Sequence, residues 1–420
     1  MSQPDRLVQI DIPSSKSLTH RALLLAACSH EECLVKNPLW GHDTTSTLHA
    51  LRALGASAVR DDHGNIQFSP SSFSAAAEAL DCGNSGTTLR LLIGLCARLE
   101  NQTKLTGDQS LSSRPNAPLL EQVEKHGATV SSNSGRLPIS IQGPLSGGPF
   151  SLPAMVSSQY ASGLILSLPF LEEDSTLHME GPIASRPYLD LTLDMATLFG
   201  LSIKVEEQDD SLLFRIKGGQ QCKATSVHVE GDWSTAAFPL VAGSISNTAV
   251  ALSCLNPNSK QGDRAIAEIL ARFGQSVRWD ADRLILEPAP LKNPGHVDIS
   301  QTPDVFPALC ILAACTPGET RIDGAPHLRD KECDRIQAMH EGFEALGITS
   351  SELPDGIVVH GGQSVGGEVH DFHDHRIHMA FSVLNLVSKQ PVVMENVDCV
   401  AVSYPEFHEH LMLFKKDTPS

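Results

Sequence analysis

The chain has 420 residues, of which 41% are hydrophobic, a mean hydropathy of -0.08 and a formal net charge of -18. This is the profile of a globular protein long enough for two domains with substantial cores. The charge repels nucleic acid and acidic membranes at long range, and no stretch reaches the roughly 20 apolar residues of a membrane span. Ten scattered cysteines never form CxxC, and "MSQPDRLVQIDIP" has no basic and apolar leader. The expectation is a reducing cytoplasm, with neither a zinc knuckle nor a disulfide framework.

In chain order, the first predicted helix opens on "SKSLTHRALLLAA" at Lys16, and a second, "TLHALRALG", closes on Gly55. The pair recurs as "GNSGTTLRLLIGL" (Ser85) with "LLEQVEKHG" (Gly127), then as "SSQYASGLILSLP" (Ser158) with "TLDMATLFG" (Gly200). It recurs again as "GDWSTAAFPLVAG" (Ser234) with "IAEILARFG" (Gly274), and as "TPDVFPALCILAA" (Asp304) with "HEGFEALG" (Gly347). A last opening stretch, "HDHRIHMAFSVL", is anchored at Arg376. The anchors are 69 to 76 residues apart and the closing glycines 72 to 74. A glycine just past an amphipathic helix is the left-handed C-cap. The spacing predicts six units of about 70 residues, each a strand, a buried helix, a strand, an exposed helix and a strand.

The polar clusters that open the buried helices have an ordinary reading as N-caps. The cations among them argue for more. Lys16, Arg21, Arg90, Arg335 and Arg376 fall in or near first turns, where the helix dipole disfavours positive charge. Lys331 and Arg335 are expected four apart on one helical face, a repelling pair. A bound anion would reverse each of these penalties, which points to a small, multiply anionic ligand where helix ends converge.

With those stretches in view, the chain resembles the EPSP synthase (3-phosphoshikimate 1-carboxyvinyltransferase) family. The likeness runs from "PSSKSLTHRALLLAA" to "VSYPEF" through "LDCGNSGTTLRLL", "LTGDQSLSSRP", "SSQYASGLIL", "SRPYLDLTL", "VEGDWSTAAF", "KECDRI" and "DHRIHMAFSV". It implies an α/β fold, a two-domain inside-out α/β barrel of six repeats, three per domain. One domain would be residues 1–13 with 230–420, the other 14–229, with the active site in the cleft between them. It implies transfer of the carboxyvinyl group of phosphoenolpyruvate to the 5-hydroxyl of shikimate 3-phosphate, with loss of phosphate. Lys16, Ser17, Arg21, Ser157, Ser158, Gln159, Ser185 and Tyr188 match positions around shikimate 3-phosphate, and Asp304, His327 and Lys331 join them. Lys16, Gly86, Arg114, Gln159, Arg335 and Arg376 match positions around phosphoenolpyruvate. Asp304 and Glu332 match the acid–base carboxylates, with Lys331 and Lys16 assisting. The resemblance implies no cofactor, no metal, no nucleic-acid or membrane partner, and a monomer.

Four positions depart from the family pattern. His327 stands where an asparagine is usual, Asp330 replaces a small apolar residue, Trp233 is bulkier than usual, and Val402 stands where some members carry a lysine. The run "VHDFHDHRIH" offers His370, His373, His375 and His378, but without a clean i, i+4 pair backed by a carboxylate it is not read as a metal site. The alternatives are enolpyruvyl transfer to a UDP-linked amino sugar and a non-catalytic anion-binding homologue. The loop "GDQSLSSRPN" lacks the cysteine of the first. A related RNA 3′-phosphate cyclase would want a basic surface, which the net charge opposes.

Overall fold

A computed structural model describes residues 6–154, 157–181, 183, 185–208, 211–362 and 366–415. The chain opens with β1 (Leu7–Asp11), α1 (Lys16–Ala27), β2 (Cys33–Lys36), α2 (His42–Ala53), β3 (Ser57–Arg60) and β4 (Ile66–Ser69). Next come β5 (Leu80–Asp81), α3 (Gly86–Cys96), β6 (Thr103–Thr106), the short α4 (Gln109–Ser113), α5 (Ala117–Lys125), β7 (Thr129–Asn133) and β8 (Arg136–Gln142). The third set is β9 (Gly148–Pro153), α6 (Ser158–Ile165), β10 (Ser175–Glu180), α7 (Arg186–Leu198), β11 (Ile203–Gln208) and β12 (Ser211–Ile216). After β13 (Ser226–His228) follow α8 (Trp233–Ser246), β14 (Ala249–Ser253), α9 (Ile266–Arg272), β15 (Ser276–Asp280) and β16 (Arg283–Glu287). The fifth set is β17 (His296–Asp298), α10 (Phe306–Cys315), β18 (Gly318–Asp323), α11 (Arg335–Ala345), β19 (Ser350–Leu353) and β20 (Gly356–Gly361). The chain closes with β21 (Gly367–Glu368), α12 (His375–Leu384), β22 (Val392–Val393) and α13 (Phe407–Met412).

These elements form two compact units: Ser14–Glu230, the inserted unit, and Met1–Pro13 with Gly231–Ser420, the split unit. The inserted unit holds the sheets β13-β2-β4-β3, β5-β6-β8-β7 and β9-β10-β12-β11. The split unit holds β1-β14-β16-β15, β17-β18-β20-β19 and the two-stranded β21-β22. Every four-stranded sheet has one parallel pair followed by two antiparallel pairs, as in β5-β6 against β6-β8 and β7-β8. The architecture is thus mixed α/β with six repeats, three per unit. The sheets stay separate, and none closes into a barrel among the described residues.

Each four-stranded repeat carries one strand more than the periodicity predicts, because the exposed helix is followed by a hairpin. The fourth strand alternates, as in β8 (eBeBiBe from Arg136 to Gln142, e exposed, B buried, i between), and this buries one face against the helices. The two chain crossings also permute the repeats. Strand β1 pairs in parallel with β14 of the split unit, and β13 pairs in parallel with β2 of the inserted unit.

The predicted glycine caps are observed as left-handed residues, with φ of 107°, 105°, 81°, 89° and 70° at Gly55, Gly127, Gly200, Gly274 and Gly347. That region carries a steric penalty for residues with a Cβ, so glycine ends each outer helix. The first helix of each repeat is buried on nearly every side. In α3 every residue but Thr87 is buried, and α10 is buried from Phe306 to Ala314. Such helices need small residues where they cross. A Cβ on Gly163 of α6 would lie 2.4 Å from the Arg90 carbonyl oxygen, and one on Gly94 of α3 would lie 2.3 Å from the Gly163 carbonyl oxygen.

Gly163→Ala therefore forces α3 and α6 apart at the residue that carries the Arg90 side chain. We expect a loss of about 1–3 kcal/mol from overpacking, read as a lower urea midpoint at unchanged m-value. An unaltered midpoint would show that the two backbones can separate freely.

Candidate active site

In the inserted unit the predicted residues gather at the starts of α1, α3, α6 and α7. Lys16 begins α1, and its Nζ lies 3.0 Å from Asp43 Oδ2 in the first turn of α2. Arg21 is wholly buried. Its Nε donates to Thr192 Oγ1 (2.8 Å), Nη1 to the Ser17 carbonyl (2.8 Å), and Nη2 to Ser162 Oγ (3.1 Å) and the Tyr188 carbonyl (3.3 Å). Burial lowers Arg21 to about 10, which leaves it charged at neutral pH. Ser17, Arg21 and Tyr188 are thus brought together by one guanidinium. Ser185 precedes α7 in the left-handed region, φ 55°.

Gly86 sits between two arginines. A Cβ there would stand 2.5 Å from Arg90 Nη1 and 3.3 Å from Arg114 Nη1, so the turn needs glycine to let both approach. Arg90 donates to Gln159 Oε1 (2.5 Å) and Asn116 Oδ1 (3.1 Å), and Gln159 Nε2 donates to Thr87 Oγ1 (3.1 Å). Arg114 Nη2 donates to Asn84 Oδ1 and Ser110 Oγ. Gln159 is thus bonded to Arg90, which was not among the predicted ligands, Arg114 is linked to it through Asn116, whose Nδ2 donates to the Arg114 carbonyl (3.1 Å), and Gly86 lies against both guanidiniums. Capping is real beside it. Ser85 Oγ accepts from Thr88 N–H (3.1 Å), and Ser157 Oγ accepts from Gln159 N–H (3.3 Å) at the start of α6, whose first residue is Ser158.

In the split unit the predicted residues surround Arg335. Its Nη1 donates to Asp304 Oδ1 (2.9 Å), Nη2 to Glu332 Oε2 (2.7 Å) and Nε to Asp374 Oδ2 (2.8 Å). Burial alone would lower this guanidinium, but Asp374, Glu332 and Asp304 more than offset it and hold it well above its ordinary range. Arg376 Nη2 lies 3.6 Å from Asp304 Oδ2, and Lys331 Nζ lies 3.8 Å from Asp304 Oδ1. Burial lowers the Lys331 ammonium, with Asp304 opposing. His327 is pushed down to about 4 by burial, with Lys331 adding to it, so it is neutral at pH 7.

One expectation changes here. Lys331 and Arg335 do not share a helical face. Asp334 Oδ1 accepts from the Ile336 and Gln337 N–H groups and starts α11 at Arg335, which leaves Lys331 in the preceding loop. The Asp304 carboxylate reaches three cations, Arg335, Arg376 and Lys331. Trp233 points into the core, where its indole donates to the Asn256 carbonyl (3.3 Å) and meets Trp279 edge-on. Asp330 is exposed, and Val402 ends a short turn of helix.

The histidine run divides into separate tasks. His370 Nδ1 accepts from the Phe372 N–H (2.7 Å), and His378 Nδ1 lies 3.4 Å from Asp371 Oδ2. His375 is buried behind Asp374, and His373 meets Asn396. Cys399 lies within 4.8 Å of the Asp371–His378 pair, and burial pushes its thiol up to about 12. Sequence reasoning missed Asp43, Asn84, Asn116 and Asp374 as partners. Asp374 and Asn116 left a signal, each as an N-cap type of residue directly before a helix.

The model of the EPSP synthase (3-phosphoshikimate 1-carboxyvinyltransferase) family matches residues 3–411. A 3-phosphoshikimate 1-carboxyvinyltransferase of Methanocorpusculum labreanum is 38% identical over 402 residues, 95% of this chain and 94% of that protein. One from Halobacterium salinarum (strain ATCC 29341) is 36% identical over 417 residues, 97% of this chain and 96% of that one. The solved EPSP synthase of Acinetobacter baumannii superposes with a TM-score of 0.79 at 30% identity, covering 99% of this chain and 97% of that chain.

A buried histidine makes the Lys16 neighbourhood acid-sensitive. His20 Nδ1 lies 2.7 Å from Thr47 Oγ1, and its Nε2 has no partner among the described residues. Burial, then Lys16 and Arg21, lower it well below 6.5. Below pH about 6.5 the unfolded chain binds this proton and the folded protein does not, so stability present at higher pH is lost as the pH falls. His20→Asn should show a smaller drop in Tm between about pH 7.5 and 5 than the unsubstituted protein. Equal drops would place the acid sensitivity elsewhere.

Proposed function

We propose, from the premise that the chain belongs to the EPSP synthase (3-phosphoshikimate 1-carboxyvinyltransferase) family, that it moves the carboxyvinyl group of phosphoenolpyruvate onto the 5-hydroxyl of shikimate 3-phosphate. The products are phosphate and 5-enolpyruvylshikimate 3-phosphate, a step of aromatic amino acid biosynthesis. One observation carries the assignment of roles: two carboxylates, Asp304 and Glu332, bonded to the same buried guanidinium beside Lys331 and Arg376. An anion-binding module needs cations alone. Paired carboxylates held among cations suit a reaction that removes one proton and delivers another.

In this reading Asp304 accepts the proton of the acceptor hydroxyl, and Glu332 exchanges a proton at C3 of phosphoenolpyruvate. Lys331 and Lys16 stabilise the charge that develops as the tetrahedral intermediate forms and expels phosphate. Arg21, Ser157, Ser158, Gln159, Ser185 and Tyr188 receive shikimate 3-phosphate with Ser17 and His327. Arg114, Gly86, Gln159, Arg335 and Arg376 receive phosphoenolpyruvate. The protein acts as a cytoplasmic monomer, a setting supported by ten free cysteines. No helix among the described residues is long and apolar enough to cross a membrane.

The direct test is phosphate release from phosphoenolpyruvate with and without shikimate 3-phosphate. Release only with both supports the transfer, and binding without release would make the chain a non-catalytic homologue. Asp304→Asn keeps the shape but cannot take a proton, and should lower kcat by at least about 100-fold while shikimate 3-phosphate still binds. Turnover within about threefold of the unsubstituted protein would remove Asp304 from the acid–base pair.

Arg376→Ala should raise the KM for phosphoenolpyruvate about tenfold or more, since a hydrogen bond to a charged group is worth about 1.5–3 kcal/mol. The affinity for shikimate 3-phosphate should move much less. Equal losses for both substrates would show that the subsites are misassigned.

A further inference from the structure

A fourth carboxyl group stands behind the Asp304 cluster, and the roles above do not use it. Asp263 lies in the 3-10 turn Gly262–Ala265 and is wholly buried. Its Oδ1 accepts from Thr302 Oγ1 (2.7 Å), and its Oδ2 accepts from the hydroxyl of Ser234 in the first turn of α8. Thr302 is itself buried and precedes the 3-10 turn Pro303–Val305 that carries Asp304. The charged groups that face Asp263 are Asp304 from that turn and Arg376 from α12. Arg376 in turn reaches the Asp304 carbonyl (3.3 Å) and carboxylate (3.6 Å).

We propose that Asp263 is a positioning residue for Asp304: its carboxylate tethers the Pro303–Val305 turn to α8 through Thr302 and sets a second negative charge behind the Asp304 carboxylate. A buried carboxylate with two hydroxyl donors stays in place only if both donors are held, and Thr302 and Ser234 come from two different elements. Charge works along the same line. A second anion beside Asp304 disfavours its ionised form, so Asp304 takes up a proton more readily when Asp263 is charged. The effect is mutual. Burial, then Asp304, raises Asp263 to about 6, with Ser234, Thr302 and Arg376 opposing. The Asp263–Asp304 pair therefore takes up a proton more readily than a lone carboxylate as the pH falls, and the second negative charge is lost when it does.

This inference rests on Asp304 as the acid–base carboxylate, and the experiment separates the two. The pH profile of kcat is measured with phosphoenolpyruvate and shikimate 3-phosphate for the unsubstituted protein, Asp263→Asn, Thr302→Val and Asp304→Asn. Asp263→Asn keeps an oxygen for Thr302 and removes the charge. Its kcat should fall at least about threefold at pH 8, because only part of a change in a general base's proton affinity is felt in the transition state, and should converge on that of the unsubstituted protein near pH 5. Thr302→Val keeps the charge and cuts the tether. It should lower kcat at least about threefold at every pH, with the acid limb retained and both KM values within about twofold.

A pH-independent loss in Asp263→Asn, or kcat unchanged across the range, would overturn the electrostatic part. An unchanged kcat in Thr302→Val would overturn the tether, and it decides that part even where Asp263→Asn does not fold. If Asp304→Asn itself turned over normally, the acid–base reading would fall first, and Asp263 with it.

Discussion

Three carboxylates converge on one guanidinium, and the split unit is organised around that convergence. Arg335 takes Asp304 from the turn before α10, Glu332 from the loop before α11 and Asp374 from the cap of α12. Each carboxylate comes from the start of a different helix, so the ion cluster fixes three helix ends relative to one another. Taking away Arg335 would leave three carboxylates without the guanidinium they share, and an uncompensated buried charge typically costs about 3–5 kcal/mol. The hydrophobic core of this unit joins Val8, Ile10 and Ile12 to residues from Trp233 to Phe414. It holds the helices in place but cannot set the register of their first turns. The ion cluster sets that register.

This also changes the meaning of cations at helix starts. The dipole argument reads them as waiting for an outside anion, yet Arg335 and Lys16 are answered by the protein's own Asp304, Glu332, Asp374 and Asp43. Arg21 and Arg114 are different. They donate to hydroxyls, amides and carbonyls, groups that orient a guanidinium without cancelling its charge. The two units thus present different chemistry: in the inserted unit Arg21 and Arg114, oriented by neutral groups, stand with the Lys16–Asp43 pair, and the split unit holds a set of acids and bases around Arg335. A reaction that binds two anions and also moves protons needs both kinds.

The repeats and their glycine caps were legible because a left-handed C-cap is a local event that only a few residue types satisfy. The start of α11 was also legible in principle. Asp334 is a strong N-cap residue, and heeding it would have removed Lys331 from the helix. The hairpin after each outer helix carried its own signal in the alternation of runs such as "RLPISIQ". What was not legible is long-range. Nothing near Asp263 in sequence announces Thr302, and nothing near Arg90 announces Gln159 or Asn116. Such pairs depend on how whole helices pack. The order of strands across the chain crossings is likewise a property of the finished sheets.

The permuted strand β1 has a consequence for how the protein is made. Leu7 pairs with Ala249, a separation of 242 residues, so β1 leaves the ribosome long before its partner. Every strand pair of the inserted unit lies within Ser14–Glu230. That unit can complete its sheets while β1, with Val8 and Ile10 destined for a core, has no sheet to join. At about 5–20 residues per second the wait is on the order of 12–50 s. During translation β1 is made long before it is sheltered, and in that interval the nascent chain is open to holdase chaperones and to mispairing at a bare strand edge.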